Sequence, residues 1–113
     1  MGTVLVTESI SMQRLREAGE ELFGDMVKAV VDVENGVMVI DAELHADEEA
    51  FLLERNSLQE NLSGINLYTD RELPEMVEFD SMINIRPTQN NRSRPQDDAM
   101  RQRIIEIVRK LVQ

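Results

Sequence analysis

Residues 26–45 read Met-Val-Lys-Ala-Val-Val-Asp-Val-Glu-Asn-Gly-Val-Met-Val-Ile-Asp-Ala-Glu-Leu-His, two alternating runs rich in β-branched residues on either side of Asn35-Gly36. An Asn-Gly pair suits a two-residue hairpin turn, because both residues tolerate the positive φ that matches the right-handed twist of the flanking strands. Such a turn predicts the register. Val33 falls opposite Met38, Val31 opposite Ile40, Ala29 opposite Ala42 and Val27 opposite Leu44, and these residues form an apolar face for a core. The other face sets Lys28 opposite Glu43, Val30 opposite Asp41, Asp32 opposite Val39 and Met26 opposite His45, and so collects most of the hairpin's titratable groups.

The elements around the hairpin fill one domain, for which 113 residues are enough to bury a single core. Residues 3–6 alternate as a short strand. Ser11 stands where an N-cap would precede a helix with Met12, Leu15, Ala18 and Leu22 at three- and four-residue spacing, and Gly24 supplies its left-handed stop. After His45, residues 47–55 read either as a short helix capped by Asp47 or as a third strand entering a turn at Asn56, and the strand is preferred. Residues 59–64 read as irregular, 65–68 as a strand, and 70–76, with Pro74, as a loop. Residues 77–86 alternate as a longer strand that Pro87 ends. Asp97 caps a last helix with Met100, Ile104, Ile107, Val108 and Leu111 on one stripe and Arg109 and Lys110 near its C-terminal end. The expected fold is α+β: an antiparallel meander built on the 26–45 hairpin, with N- and C-terminal helices packed on one face.

Composition excludes several function classes. With 22 acidic and 12 basic side chains the net charge is −10, which repels phosphate backbones and anionic lipid, so nucleic acid and membrane are not expected partners. There is no cysteine, hence no disulfide framework, thiolate metal site or thiol nucleophile. The sequence shows no secretory signal and no apolar run long enough to span a bilayer, and a cytoplasmic protein is expected. Glycine-rich phosphate loops, a Gly-x-Ser-x-Gly elbow and base-stacking aromatic sets are all missing.

The stretch from Asp25 to Ser93 resembles a family of small uncharacterised bacterial and archaeal proteins known only as a domain of unknown function. The strings that carry the resemblance are Gly24-Asp25-Met26-Val27-Lys28, Val31-Asp32-Val33-Glu34, Glu43-Leu44-His45-Ala46-Asp47, Gly64-Ile65-Asn66-Leu67-Tyr68, Ile83-Asn84-Ile85-Arg86-Pro87 and Asn91-Arg92-Ser93. This chain has Arg55-Asn56-Ser57 where the family pattern has Asp-Gly-Ser, and Ser63-Gly64 where it has Trp-Gly. The resemblance implies a shared small fold and a shared polar site, and no activity.

Two constellations carry candidate chemistry. If the chain stays extended beyond the hairpin, Asp41, Glu43, His45 and Asp47 project to one face, with Asp32 nearby. His45 could then act as general base or ligand, oriented by Asp47 and Glu43, and one imidazole among carboxylates suits manganese or zinc. A solvated acidic face with a Lys28–Glu43 ion pair is the plainer reading of the same residues. The second constellation is the segment from Arg86 to Arg94, which has three arginines and no acid. Asn84, Arg86, Asn91 and Arg92 are candidates for holding phosphate or a carboxylate. The residues specify no cofactor and no particular metal, and they leave open whether any reaction is catalysed. The expected function is binding of a small molecule or an anion such as phosphate or a carboxylate, a small anionic ligand being the expected partner, with an enzyme among the forms this can take. The alternative is a protein–protein interaction module acting as a homo-oligomer without catalysis.

Gly36 carries the turn, so Gly36→Val lowers the midpoint of chemical denaturation. An unchanged midpoint removes the turn assignment.

Overall fold

A computed structural model describes residues 3–22, 24–42, 44–79 and 98–112. In chain order its elements are β1 (Val4–Val6), α1 (Met12–Leu22), β2 (Met26–Asp32), β3 (Val37–Ile40), α2 (His45–Leu53), a 3-10 turn (Gln59–Asn61), β4 (Leu62–Tyr68), β5 (Val77–Glu78) and α3 (Asp98–Leu111).

β2 and β3 form a hairpin whose turn differs from the expected one. Asp32 pairs with Val37, Val31 with Met38, Val30 with Val39 and Ala29 with Ile40, so residues 33–36 all belong to the loop. The cause is the Asp32 side chain. Its carboxylate accepts the amides of Glu34 and Asn35 at 3.0 and 3.1 Å and Asn35 Nδ2 at 2.8 Å, while its carbonyl accepts the Gly36 amide at 2.8 Å. An aspartate that captures amides beyond itself offers the backbone an alternative to the ladder, and the turn opens to take it. Gly36 still supplies the left-handed residue, with φ 69°. A slip of two residues preserves side-chain parity. Val27, Ala29, Val31, Met38 and Ile40 therefore remain on one buried face, as the alternation predicts.

The strand order is β1-β3-β2-β4-β5, antiparallel throughout, which corrects the expected meander. Because β2 runs antiparallel to both β3 and β4, those two are parallel to each other. No tight turn can join parallel strands, so residues 41–61 must cross over β2, and α2 lies within that crossing. β1 and β2 stand in the same relation around β3, with α1 in their crossing. Both crossings move in the same direction across the sheet from strands that run oppositely, so a common right hand sets α1 and α2 on opposite faces.

The packing follows this rule. Leu15 and Ala18 of α1 and Ile104, Ile107, Val108 and Leu111 of α3 share one apolar cluster with Val27, Ala29, Val31, Met38, Ile40, Ile65 and Leu67. Leu52 of α2 shares a second cluster with Val30, Val39 and Leu62. The face expected to be polar and solvated is therefore covered, and Asp32 and Asp41 on it are buried. The strand expected at 47–55 is a helix: its apolar run reads with a helical period, Glu48 and Leu52 inward and Ala46, Ala50 and Leu53 outward. Asn56 does adopt positive φ, at 73°, but it closes a helix, and the Ser57 amide returns to the Leu52 carbonyl at 3.1 Å. Likewise residues 59–64, expected to be irregular, hold the 3-10 turn and the start of β4.

The helix ends obey their local chemistry. Ser11 Oγ accepts the Arg14 amide at 3.1 Å, and Gly24, with φ 90°, donates its amide to the Gly19 carbonyl at 2.8 Å. The Ile10 amide reaches the Leu111 carbonyl at 2.7 Å, which joins the two ends of the chain by a parallel bridge between Ile10 and Val112. Of the expected 77–86 strand, Val77 and Glu78 form β5, while residues 80–86 and the Asp97 cap lie outside the described residues. No described helix is long and apolar enough to cross a membrane.

Ser57 Oγ adds a further hydrogen bond to Asp32, at 2.6 Å, which ties the turn after α2 to the hairpin. Asp32→Ala strips the partner from all these donors and is expected to cost on the order of 2–4 kcal/mol in urea denaturation. A loss below half of that range shows that the loop keeps its shape without the carboxylate.

Candidate functional site

The face of the sheet under α2 carries the polar groups of interest. Side-chain parity sets Lys28 of β2, Asn66 and Tyr68 of β4 and Glu78 of β5 on that face, together with the apolar Val30 and Leu62. Lys28 and Asn66 are register partners, as are Asn66 and Glu78. Glu78 Oε1 accepts Asn66 Nδ2 at 2.8 Å and the Tyr68 hydroxyl at 3.0 Å. That bond to Glu78 raises the Tyr68 pKa above its ordinary value, with a smaller rise from burial. The Asn66 Nδ2 bond to Glu78 orients the Asn66 amide, leaving Oδ1 buried and without a donor.

α2 lowers Glu48 onto this surface. Glu48 is completely buried; the Ala42 amide approaches its carboxyl group, but neither oxygen completes a hydrogen bond of good geometry. Burial pushes its pKa up to about 10; Asp41 and Asp47 add to the rise, while the Ala42 amide and Lys28 oppose it. Asp41 follows β3 with positive φ, at 73°, and is buried too. Its Oδ2 lies 3.8 Å from Arg14 Nη2 of α1, and its Oδ1 has no hydrogen-bond partner. Asp41, Glu48 and Asn66 thus present four buried acceptor oxygens without a hydrogen-bond partner; Lys28 acts on Glu48 and is the register partner of Asn66. Burying such groups destabilises a fold unless something else is gained. A depression of about 260 Å³ beside β1, walled by residues 4–10 and Arg14, contains none of these atoms.

The candidate residues of the sequence fall differently. His45 opens α2, half-buried, with Nε2 2.7 Å from the Ile65 carbonyl oxygen. That nitrogen must carry a proton and donate, so base chemistry at His45 is left to Nδ1. Asp47 is exposed in the first turn of the same helix. Two residues along a helix point about 200° apart. The single row of 41, 43, 45 and 47 therefore does not form, because β3 ends at Ile40 and α2 begins at His45. Glu43 and the anion candidates Asn84, Arg86, Asn91 and Arg92 lie outside the described residues. Among the described residues no three His, Asp or Glu side chains gather as a metal site would require.

One family model matches residues 4–111, and its description is protein of unknown function (DUF5674). The chain belongs to that family. No curated protein and no solved structure matches this DUF5674 chain significantly. The match extends the 25–93 resemblance to both terminal elements of the fold.

Sequence reasoning missed Glu48, Lys28 and Asn66 as a group in this DUF5674 protein. Glu48 stands inside the acidic run Asp47-Glu48-Glu49, and only a helical period singles it out. Read with that period, His45, Glu48 and Leu52 form one inward stripe, and the polar members at its N-terminal end mark the site.

Glu48 makes stability depend on pH. Unfolded, it ionises near 4.5; folded, it keeps its proton to about 10. Between those values unfolding releases a proton. Its contribution is complete below the lower value and is lost as pH rises toward the upper one, at up to about 1.4 kcal/mol per pH unit. Urea denaturation of the wild type and Glu48→Gln across mildly acidic to mildly alkaline pH should show the wild type falling steadily behind. A pH-independent difference shows that Glu48 ionises normally in the fold.

Proposed function

We propose that this DUF5674 protein is a small-molecule-binding domain whose ligand is received between α2 and the sheet. The observation that carries the reading is the Glu48 carboxyl, wholly buried with both oxygens unpaired, acted on by Lys28 and Asp41, with the buried Asn66 the register partner of Lys28. Structural needs alone would be served better by leucine or methionine at this position, opposite an apolar cluster of Val30, Val39, Leu52 and Leu62. Polar groups held at the expense of stability are a mark of binding sites. The anionic ligand expected from sequence rests on Asn84, Arg86, Asn91 and Arg92, which lie outside the described residues, so the described geometry supports binding without that specificity.

A second reading, the interaction module, draws support from α2's outer side. Leu44, Leu53 and Leu58 are 55, 40 and 60 % exposed, and Ala46 and Ala50 continue the stripe of Leu53 at helical spacing. A helix apolar on its outward face suits contact with a second copy.

The two readings separate in solution. A thermal-shift screen of small acids, amines, alcohols and phosphates should find compounds that raise the melting temperature of the wild type. Glu48→Leu should melt higher than the wild type without ligand and lose the response. If no compound shifts the wild type, the binding reading fails. Light scattering tests the other: a dimer that Leu53→Glu returns to monomer supports the module, and a monomeric wild type rejects it.

A further inference from the structure

The polarity of the unpaired groups deepens the binding-site reading and rests on it. Asp41 Oδ1, Glu48 Oε1 and Oε2 and Asn66 Oδ1 are all acceptors, apart from the single proton that a neutral Glu48 carries. Each belongs to a residue that is buried, with exposures of 5, 0 and 8 %. They come from three elements: the end of β3, the inward face of α2, and β4. Even with Lys28 and the Ala42 amide close by, these acceptor atoms lack donors of their own. An anion would add acceptors to acceptors, whereas an alkylammonium group brings three N–H donors on one compact centre.

We propose that the α2-covered site binds a ligand through a primary ammonium group, held by Asp41, Glu48 and Asn66. The surrounding charges fit this assignment. Glu48 is faced by Lys28 from β2 and Asp41 from the end of β3, with Asp47 on its own helix; Arg14 of α1 answers Asp41, and β4 and β5 add Tyr68 and Glu78, which are bonded to each other. With Glu48 protonated, Arg14 and Lys28 offset two of the three charges of Asp41, Asp47 and Glu78. Ionised, Glu48 adds a further negative charge, which a ligand ammonium offsets. A divalent metal ion is a poorer fit, since the described residues gather no set of three carboxylate or imidazole ligands and Lys28 stands close by.

Binding is then an exchange of protons as well as of contacts. Glu48 gives up its carboxyl proton to solvent as the ammonium ion enters, so the affinity of an amine rises with pH until the amine itself loses its charge. The O–H bond of Glu48 breaks, its electron pair stays on the carboxylate, and the N–H donors of the ligand close on the freed oxygens.

The test uses the intact chain with ethylammonium, butylammonium and 1,4-diaminobutane, against acetate, inorganic phosphate and magnesium chloride at matched ionic strength. Amines should raise the melting temperature, and calorimetry in two buffers of different ionisation enthalpy should show about one proton released per amine bound near neutral pH. Glu48→Gln and Asp41→Asn should each weaken amine binding about tenfold or more, and the Glu48→Gln complex should release no proton. Equal responses of the wild type and both variants to amines would mean attraction to an acidic surface, and overturn the proposal. Shifts with acetate, phosphate or magnesium chloride that Glu48→Leu abolishes, with none from amines, overturn the ammonium assignment and leave the binding site standing. Failure of every compound overturns both.

Discussion

The carboxylate of Asp32 is the constraint from which the central part of the molecule follows. By drawing the amides of Glu34 and Asn35 onto itself it sets the length of the β2–β3 loop, and so decides which residues of β3 lie opposite β2. It also receives Ser57, and the neighbouring Val33 amide reaches the Asn61 carbonyl at 2.9 Å. The hairpin loop therefore receives the chain as it returns from α2 toward β4. One buried, fully bonded acid coordinates a turn, the exit of a crossover and the entry of a strand. Its energetic position is the opposite of that of Glu48, although both are completely buried. Asp32 has donors enough for its charge, and Glu48 has only the approach of the Ala42 amide, which completes no hydrogen bond.

That contrast separates structural from functional use of the same chemistry. Near the hairpin loop the polar groups satisfy one another, and the local structure is the result. Beneath the N-terminal half of α2 they do not, and the fold tolerates the consequence. α2 is the element best placed to carry such a defect, because the crossover must lie on this face for reasons of handedness, whatever its inward residues are. Leu52 supplies the apolar contact with Val30, Val39 and Leu62 at one end. Glu48 and His45 are thereby free to be polar at the other.

Local signals in the sequence were readable wherever a single residue type sets the backbone. Ser11, Gly24, Gly36 and Asn56 all take the conformations that their chemistry predicts. The alternating faces of β2 and β3 were readable as well, since parity survives an even slip of register. What alternation does not contain is the order of strands: it marks which face is apolar, but both faces of β2 are buried here. The third strand expected at 47–55 and the meander failed together, because a strand there would have removed the crossover that β3 and β4 require. The candidate row of Glu43, His45 and Asp47 inherited that failure. Glu48 became visible only when a helix turned it inward and its neighbours left it unbonded.

The bridge between Ile10 and the end of α3 has a mechanical meaning. Force applied across the bridge, between Ile10 and Val112, is delivered first to one backbone hydrogen bond, Ile10 to Leu111, and then to the contact of α3 with the sheet. Those contacts lie on the face opposite α2. Under tension the C-terminal helix peels from its own side while β2, β3, β4 and the covering α2, joined through Asp32, stay together. Pulled apart at this bridge, the molecule would shed one layer before the other is disturbed, and the polar groups beneath α2 would outlast the closure of the chain.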